Sequence, residues 1–593
     1  MTLNFEMKAK ETYLKLKAEA EASLKIIRSK IRLVIFARTI SFITTGLLIY
    51  FFIETPLIAT LSGIIGGFTF ILFIKTNGKL NRKKKYFKEI IFINKKELKA
   101  LAYDYSSFDG GKEFKDPSHF FSNDIDLFGN GSFFQCINRT HTLEGKELLA
   151  KKLTSNDINN INEKQNAIKE LSEKTEWRQE FSALAALIHS DTSTKTLLSW
   201  LKKHVKIINP KIIYLLWIFP IISLLLISLA SYSIIPNSIV AIWFFIGLGW
   251  VGYFVKKTNT LVNEISKFED GLKEYGDLLE LLEKTKFDSK KLNDIKLKIK
   301  SETNSASKNT KRLYHIISQL NNRHNFIIGI IGNGFGLWDL QYVFQFEKWV
   351  NINLNEVTKW FESIQEIDAL IGMGTYSFNH EYMFPVIKEN DKGIDSEALG
   401  HPLIHPDKCI ENNYLMNYAD FHIVTGANMA GKSTFLRTVS IAIISANNGL
   451  PVCAKRFNYS PIKLITSMRS TDSLSNEESY FFSELKRLRY IIDHLQKEHY
   501  FIVLDEILKG TNSKDKEEGS KKFVRKLIEL KSSGIIATHD LSLCSLADES
   551  KKVYTKYFDA EIINGELHFD YQFKDGICQN MNASYLLEKM GIT

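Results

Sequence analysis

Thr425-Gly-Ala-Asn-Met-Ala-Gly-Lys-Ser-Thr434 carries the spacing G-x-x-x-x-G-K-S from Gly426 to Ser433. In a loop of this kind successive backbone N–H groups point at one centre and form a concave anion site, which a side chain at Gly431 would obstruct. The flanks agree with that reading. Phe421-His-Ile-Val-Thr425 is a short apolar run of strand type, and Phe435 to Ile444 reads as the helix whose N-terminus faces the loop. Strand, glycine loop and helix in this order predict a nucleotide site. Gly426, Ala427, Asn428, Met429, Ala430, Gly431, Lys432, Ser433 and Thr434 are expected around the phosphates. Lys432 would reach the β- and γ-phosphates, and the Ser433 hydroxyl would ligate Mg²⁺.

Further along, Tyr500-Phe-Ile-Val-Leu504 is a buried-strand run ending in Asp505-Glu506. A carboxylate at the end of such a strand can hold the Mg²⁺ shell, here Asp505. The next one, Glu506, can orient or deprotonate the attacking water. Gly534-Ile-Ile-Ala-Thr-His539 is another strand, with His539 placed to hydrogen-bond the γ-phosphate or the water. ATP and Mg²⁺ are therefore the expected cofactors, on an α/β P-loop domain.

Three segments carry a family resemblance: Thr-Gly-x-Asn-Met-x-Gly-Lys-Ser-Thr, Leu504-Asp-Glu-Ile-x-x-Gly-Thr511 and Ala537-Thr-His539. Together they resemble the ATPase domain of the MutS mismatch-repair family. Gly400-His-Pro402 resembles the family's His-Pro before the first ATPase strand. Asp472, Leu474, Ser479, Phe481 and Glu484 resemble its signature segment, and Asn582-Ala-Ser-Tyr585 with Met590-Gly-Ile592 its helical tail. The resemblance covers about residues 361–593 and implies a dimer, with Ser479 offered to the partner's γ-phosphate. Glu477 and Ser479-Tyr-Phe481 depart from the family's Gly and Ser-Thr-Phe and bear on that contact. Asn412 goes with the ATP-binding set, but the aromatic that stacks on adenine in the family is replaced around Cys409-Ile-Glu-Asn412. Upstream, Asn138 to Leu148 and Glu163 to Leu171 resemble the start of the MutS helical core. Phe268 to Leu297 continues an amphipathic helical pattern, and Lys298 to Lys311 reads as a solvated helix face.

The chain has 593 residues, 45% of them apolar and 24% charged, ordinary for a folded protein of three or four domains. The apolar residues are concentrated. Leu33 to Ile53, Pro56 to Ile74, Ile212 to Ser231 and Ile234 to Val255 are each near the ~20 residues that cross a hydrocarbon layer. Basic residues flank both pairs: Lys25 to Arg32 and Lys79 to Lys85 around the first, Lys202 to Lys211 and Lys256-Lys257 around the second. The turns Glu54-Thr55 and Tyr232-Ser233 have no positive charge. The positive-inside rule predicts two hairpins in a membrane, the bacterial inner membrane being the expected one, with the soluble parts cytoplasmic. The charged first 31 residues exclude an ordinary cleaved signal peptide. Phe326 to Phe346, which contains Asn333, Asp339 and Gln341, reads instead as a core helix. Five scattered cysteines suggest reduced thiols rather than a zinc site. A net charge of +10 fits nucleic acid or anionic lipid equally.

The expected fold class is an α/β P-loop ATPase domain of ABC/MutS type, C-terminal to an all-α MutS-core-like region carrying two transmembrane helical hairpins. Its parts are a basic helix at 1–31, hairpins at 32–75 and 211–256, core-like helices at 76–210 and 257–398, and the ATPase domain at 399–593. The family's mismatch reader has a Phe-x-Glu wedge. Phe52-Ile-Glu54 and Phe87-Lys-Glu89 match it only as a three-residue pattern, and no room for that domain remains before residue 120. Three readings stay open: a membrane-anchored MutS-like ATPase dimer that associates with DNA, a membrane scaffold or remodelling ATPase that binds none, and an ABC-type transporter. The last lacks Leu-Ser-Gly-Gly-Gln.

Overall fold

The computed structural model describes residues 2–188, 193–300, 305–325, 327–388, 393–469, 480–509, 511–563 and 566–579, and every structural statement concerns these. The chain opens with two long antiparallel helices, α1 (Thr2–Phe51) and α2 (Pro56–Ala100), joined by a tight turn. At 1.5 Å per residue α1 extends about 75 Å, so the basic N-terminal segment and the first apolar run are one continuous rod. Its two halves differ in what they touch. Ala9, Tyr13, Ala20, Leu24, Ile27 and Ile31 are buried. They recur every three, four or seven residues, the stripe by which one helix packs along another. Beyond Leu33 the pattern is lost and apolar side chains face outward on both helices, among them Phe36, Phe42, Leu57, Ile64 and Phe68.

A second pair repeats the arrangement: α3 (Ile213–Ser231) and α4 (Asn237–Ile265). Phe219 stacks on Trp243 at 4.4 Å, and the Trp243 indole N–H donates to Ser223 Oγ at 2.8 Å. Ser223 Oγ in turn donates to the Phe335 carbonyl at 2.7 Å. All four helices are long and apolar enough to cross a membrane by length and composition.

The segment Phe326–Phe346 is not the single core helix its composition suggests. A π-type turn spans Ile327–Gly332, a short helix follows at Asn333–Gly336, and Leu337 takes φ +50° before α5 (Trp338–Asn379) begins. Glycine is the reason. A Cβ on Gly247 would lie 2.2 Å from the Gly334 carbonyl, so the short segment presses backbone against α4. Ile327 and Ile331 stay exposed beside the apolar pair.

Around α5 gather the shorter helices of the core, including Leu143–Thr154, Ile161–Glu173, Thr175–Ala185 and Ala306–Asn321. The pattern over Phe268–Leu297 divides into Glu269–Lys284 and Lys290–Ile299, because Glu170 accepts the backbone N–H groups of Asp288 and Ser289 at the break. The charged stretch from Lys298 is likewise no continuous helix. Lys300 bridges to Ser305, and the next helix starts at Ala306 with Ser307 and Thr310 buried.

The C-terminal region is built on a six-stranded sheet. Its strands are β1 (Phe421–Gly426), β2 (Lys463–Ser467), β3 (Tyr500–Asp505), β4 (Ser533–Ala537), β5 (Val553–Phe558) and β6 (Lys574–Asp575), ordered β6-β5-β1-β4-β3-β2. All pair in parallel except β6. The central strands are buried and mostly apolar, with His422 and Thr425 the polar members of β1, because both faces are covered. Helix α6 (Lys432–Asn447) follows β1 and is buried almost throughout, held between this sheet and a smaller one made from Val386–Ile387, Ile394–Leu399, Asn412–Met416 and Arg456–Tyr459.

Candidate nucleotide site

The site forms at the C-terminal ends of β1, β3 and β4, where parallel strands leave a crevice. β1 delivers Gly426, and the loop turns through Met429 at φ +66° and Gly431 at φ +98° into the first turn of α6. Gly431's positive φ favours glycine, and a Cβ there would stand 3.0 Å from the Tyr571 ring and crowd it. Lys432 is buried, and its Nζ donates to the Gly426 and Ala427 carbonyls, each at 2.8 Å. Burial lowers its pKa, which Asp505 and Glu506 partly restore. Asn428 and Met429 stand exposed at the crest, Met429 at 79%.

β3 ends on Asp505, whose Oδ2 accepts from Ser433 Oγ at 2.6 Å. Glu506 follows with φ +46°, and β4 leads to His539, whose Nε2 lies 3.0 Å from Glu506 Oε1 and 3.3 Å from Lys432 Nζ. Burial first, then Lys432, pushes the His539 pKa down, so the ring is neutral at pH 7 and can donate one N–H. Glu484 holds the turn after β3. Its buried carboxylate accepts from the Leu508 and Lys509 N–H groups at 2.6 and 3.1 Å.

These groups border a cavity of about 600 Å³. It brings together Asn412, Asn428, Met429, Gly431 to Thr434, Asp505, Glu506 and His539. Gly426, Ala427 and Ala430 shape the loop behind it. Ser479 and Glu477, read as the signature segment, and the tail motifs at 582–592 lie outside the described residues.

Residues with no assigned role in the sequence reading also border the cavity: His401, Cys409, Ile410, Lys509 and Tyr571. His401 and Cys409 belong to segments that the resemblance marks, but Tyr571 has no local motif. Asn412 is what places it. Its Nδ2 donates to the Tyr571 carbonyl at 3.0 Å and its Oδ1 accepts from Phe573 N–H at 2.7 Å, fixing a strap across the mouth of the loop.

Residues 422–590 match the family described as MutS domain V. This C-terminal segment is MutS-related. It is similar to the DNA mismatch repair protein MutS of Clostridioides difficile, 29% identical over 212 residues, covering 34% of this chain and 22% of that protein. The DNA mismatch repair protein MutS of Persephonella marina is 30% identical over 244 residues, 40% of this chain and 28% of that one. The DNA mismatch repair protein MSH4 of Arabidopsis thaliana is 28% identical over 239 residues, 38% of this chain and 30% of that one. The chain thus spans under a third of the length of these MutS relatives.

Chemically, the MutS-related domain offers a backbone anion site, one buried ammonium, one carboxylate beside a hydroxyl, and a second carboxylate beside a neutral imidazole. The Asp505–Ser433 pair suits Mg²⁺, which takes one or two protein oxygens and completes its shell with phosphates and water. Among the described residues no cluster of three or more His, Cys, Asp or Glu forms a metal cage.

Proposed function

We propose that the chain is a membrane-anchored, MutS-like ATPase that works as a dimeric switch and associates with DNA. The observation that carries the ATPase reading is the convergence of Lys432, Ser433, Asp505, Glu506 and His539 on one cavity from three separate chain segments. Bound Mg²⁺ would supply charge neutralisation between the phosphates, with Ser433 and Asp505 as its protein ligands. The loop N–H groups and Lys432 orient the phosphates. Glu506 accepts a proton from water or orients it, and neutral His539 turns its single N–H either to Glu506, 3.0 Å away, or to the terminal phosphate once nucleotide is bound. Ser479 would complete the partner's site.

The outward-facing apolar lengths of α1 through α4, with basic residues at their bases, support a membrane anchor. The association with DNA rests on similarity to proteins described as DNA mismatch repair proteins. The second reading, a membrane scaffold that binds no DNA, is favoured by a different observation: α3 and α4 are inserted into the helical arm itself and pack on the segment leading to α5.

Two measurements test this. ATP turnover by the purified full chain should vanish in Lys432→Ala through loss of binding. In Glu506→Gln binding should persist while kcat falls at least ~10²-fold; undiminished turnover in the glutamine variant would remove Glu506 as the base. Affinity for duplex and branched DNA should decline with salt, log against log, in proportion to the phosphates contacted. No binding at low salt would leave the scaffold reading.

A further inference from the structure

A second cavity lies far from the glycine loop, where the base of the first helix pair meets the core. It holds about 200 Å³ and is bordered by α2, the turn around Asn138 to His141 and the helix Thr175–Ala185, with Tyr13 and Thr375 also lining it. Three acids and three cations line it, and they do not pair off. Glu97 is taken by Arg139, whose Nε and Nη2 donate to its two oxygens at 2.5 and 3.2 Å, and Asn379 adds a further bond at 2.9 Å. Asp109 is taken by Lys146 at 2.8 Å. Burial pushes the Glu89 carboxyl pKa up while Lys96 and Lys88 pull it back, so Glu89 acts on Lys96 through space without a hydrogen bond.

That leaves two cations without a hydrogen-bonded carboxylate, since Glu97 acts on both, and Glu89 on Lys96, only through space. Arg178 is 2% exposed. Its Nη1 donates to Thr375 Oγ1 and its Nη2 to the Ser172 carbonyl and Thr175 Oγ1, while its Nε has no partner at all. Every group it touches by hydrogen bond is neutral. The Lys96 ammonium stands 4.3 Å over the Phe108 ring, and the Arg139 guanidinium lies 3.7 Å over the same ring, so two like charges share one aromatic side chain. A buried guanidinium whose hydrogen-bond partners are all neutral, with one N–H unspent, is an expensive arrangement for a fold to keep. It becomes favourable once an anion enters.

We propose that this cavity binds a small soluble oxyanion of the phosphate class, held between Arg178 and Lys96. The distance from the apolar run excludes a lipid headgroup. Lys96 lies 22 residues beyond Ile74 along α2, about 33 Å of helix. The size of the cavity suits a phosphate and excludes a nucleotide triphosphate. The Ser182 hydroxyl and the His141 ring, which burial keeps neutral, border the same space and can donate to it. Because α1, α2, the Thr175–Ala185 helix and α5 all meet here, the bound anion ties the base of the helix pair to the helix that leads into the nucleotide domain.

The test is calorimetric titration of inorganic phosphate into the full chain, in detergent micelles, with Lys432→Ala present to silence the glycine loop. A saturable one-site isotherm is expected, its affinity reduced tenfold or more in both Lys96→Gln and Arg178→Gln. Absence of saturable binding in the Lys432→Ala parent, or undiminished affinity in Lys96→Gln, would overturn the proposal. Lys96 is half-exposed and makes no hydrogen bond that the fold depends on, so its variant decides the matter even if Arg178→Gln unfolds. The result is independent of ATP hydrolysis, since the parent protein already carries Lys432→Ala.

Discussion

Tyr571 shows how much a single side chain can depend on distant neighbours. It is 42% exposed, takes φ +53°, and leans over Gly431 because Asn412 grips the backbone on either side of its own amide plane. A planar ring at that position offers a face to a nucleotide base. Tyr571→Ala is expected to weaken ATP binding by about 1–2 kcal/mol, roughly tenfold in Kd, with kcat at saturation little changed. Equal Kd values in both proteins would show that the ring lies clear of the ligand. His422 illustrates the opposite case, a polar group sealed inside β1 between Tyr414 and Tyr554 with its Nδ1 unpartnered. Burial, assisted by Lys556, pushes its pKa down to about 4, against about 6.5 in an unfolded chain. The unfolded state therefore binds the proton more readily between these values. Stability from this group is fully present above pH 6.5 and lost as pH falls toward 4, by at most about 3 kcal/mol. Urea denaturation across that range should show a shallower acid loss in His422→Gln than in the parent.

Among elements, the connection from Pro117 to Gly129 joins the core to the nucleotide domain, and it does so with directed bonds rather than bulk contact. Asp124 accepts from Thr466 Oγ1 at 2.5 Å and from the Met468 and Arg469 N–H groups at 3.1 and 3.0 Å. Arg487, on the helix Tyr480–Leu495, donates to the carbonyls of Ser118, His119, Phe120 and Thr466. Phe120 stacks on Tyr500 of β3 at 5.9 Å. The same helix carries Glu484, which fixes the turn after Glu506, so one helix holds both that turn and the connection. Asp124→Asn keeps the shape but cannot accept all three bonds as a carboxylate does. A loss of about 1–3 kcal/mol in the unfolding free energy measured by urea denaturation is expected, and a change under ~0.5 kcal/mol would mean the connection is redundant. Legibility varies among these elements for physical reasons. The strands β1, β3 and β4 and helix α6 are evident from periodicity because burial on both sides demands mostly apolar runs. The stretch Phe326–Phe346 is misleading because apolar composition does not distinguish a helix from a π-turn packed backbone-to-backbone through Gly247 and Gly334. The break at Thr285 to Ser289 is invisible locally, since Glu170, which causes it, is more than a hundred residues away.

On the scale of the whole molecule, the two helix pairs leave large apolar surfaces uncovered. Leu224 is 70% exposed, as are many neighbours on α3, and such an expanse in water would drive aggregation. Leu224→Arg places a charge near the middle of the proposed span, at a cost of about 2.5–3.5 kcal/mol for insertion. Resistance of the full chain to alkaline carbonate extraction is expected, with a measurable shift toward the soluble fraction in Leu224→Arg. Extraction of the parent chain by carbonate would count against spanning helices.

Sequence by itself located the candidate nucleotide site and its MutS likeness, because Gly426 to Thr434, Asp505-Glu506 and His539 are short runs whose proposed chemistry requires those residue types at those spacings. It also determined four lipid-length apolar runs, since hydropathy is a property of composition. Tertiary structure alone decided which side chains meet. Tyr571 at the loop, Asp124 under β2, and Arg178 in one cavity with Lys96 are each brought to their places by folding across tens to hundreds of residues. Charge compensation in a buried cavity is a sum over neighbours in space, and no local pattern carries that sum.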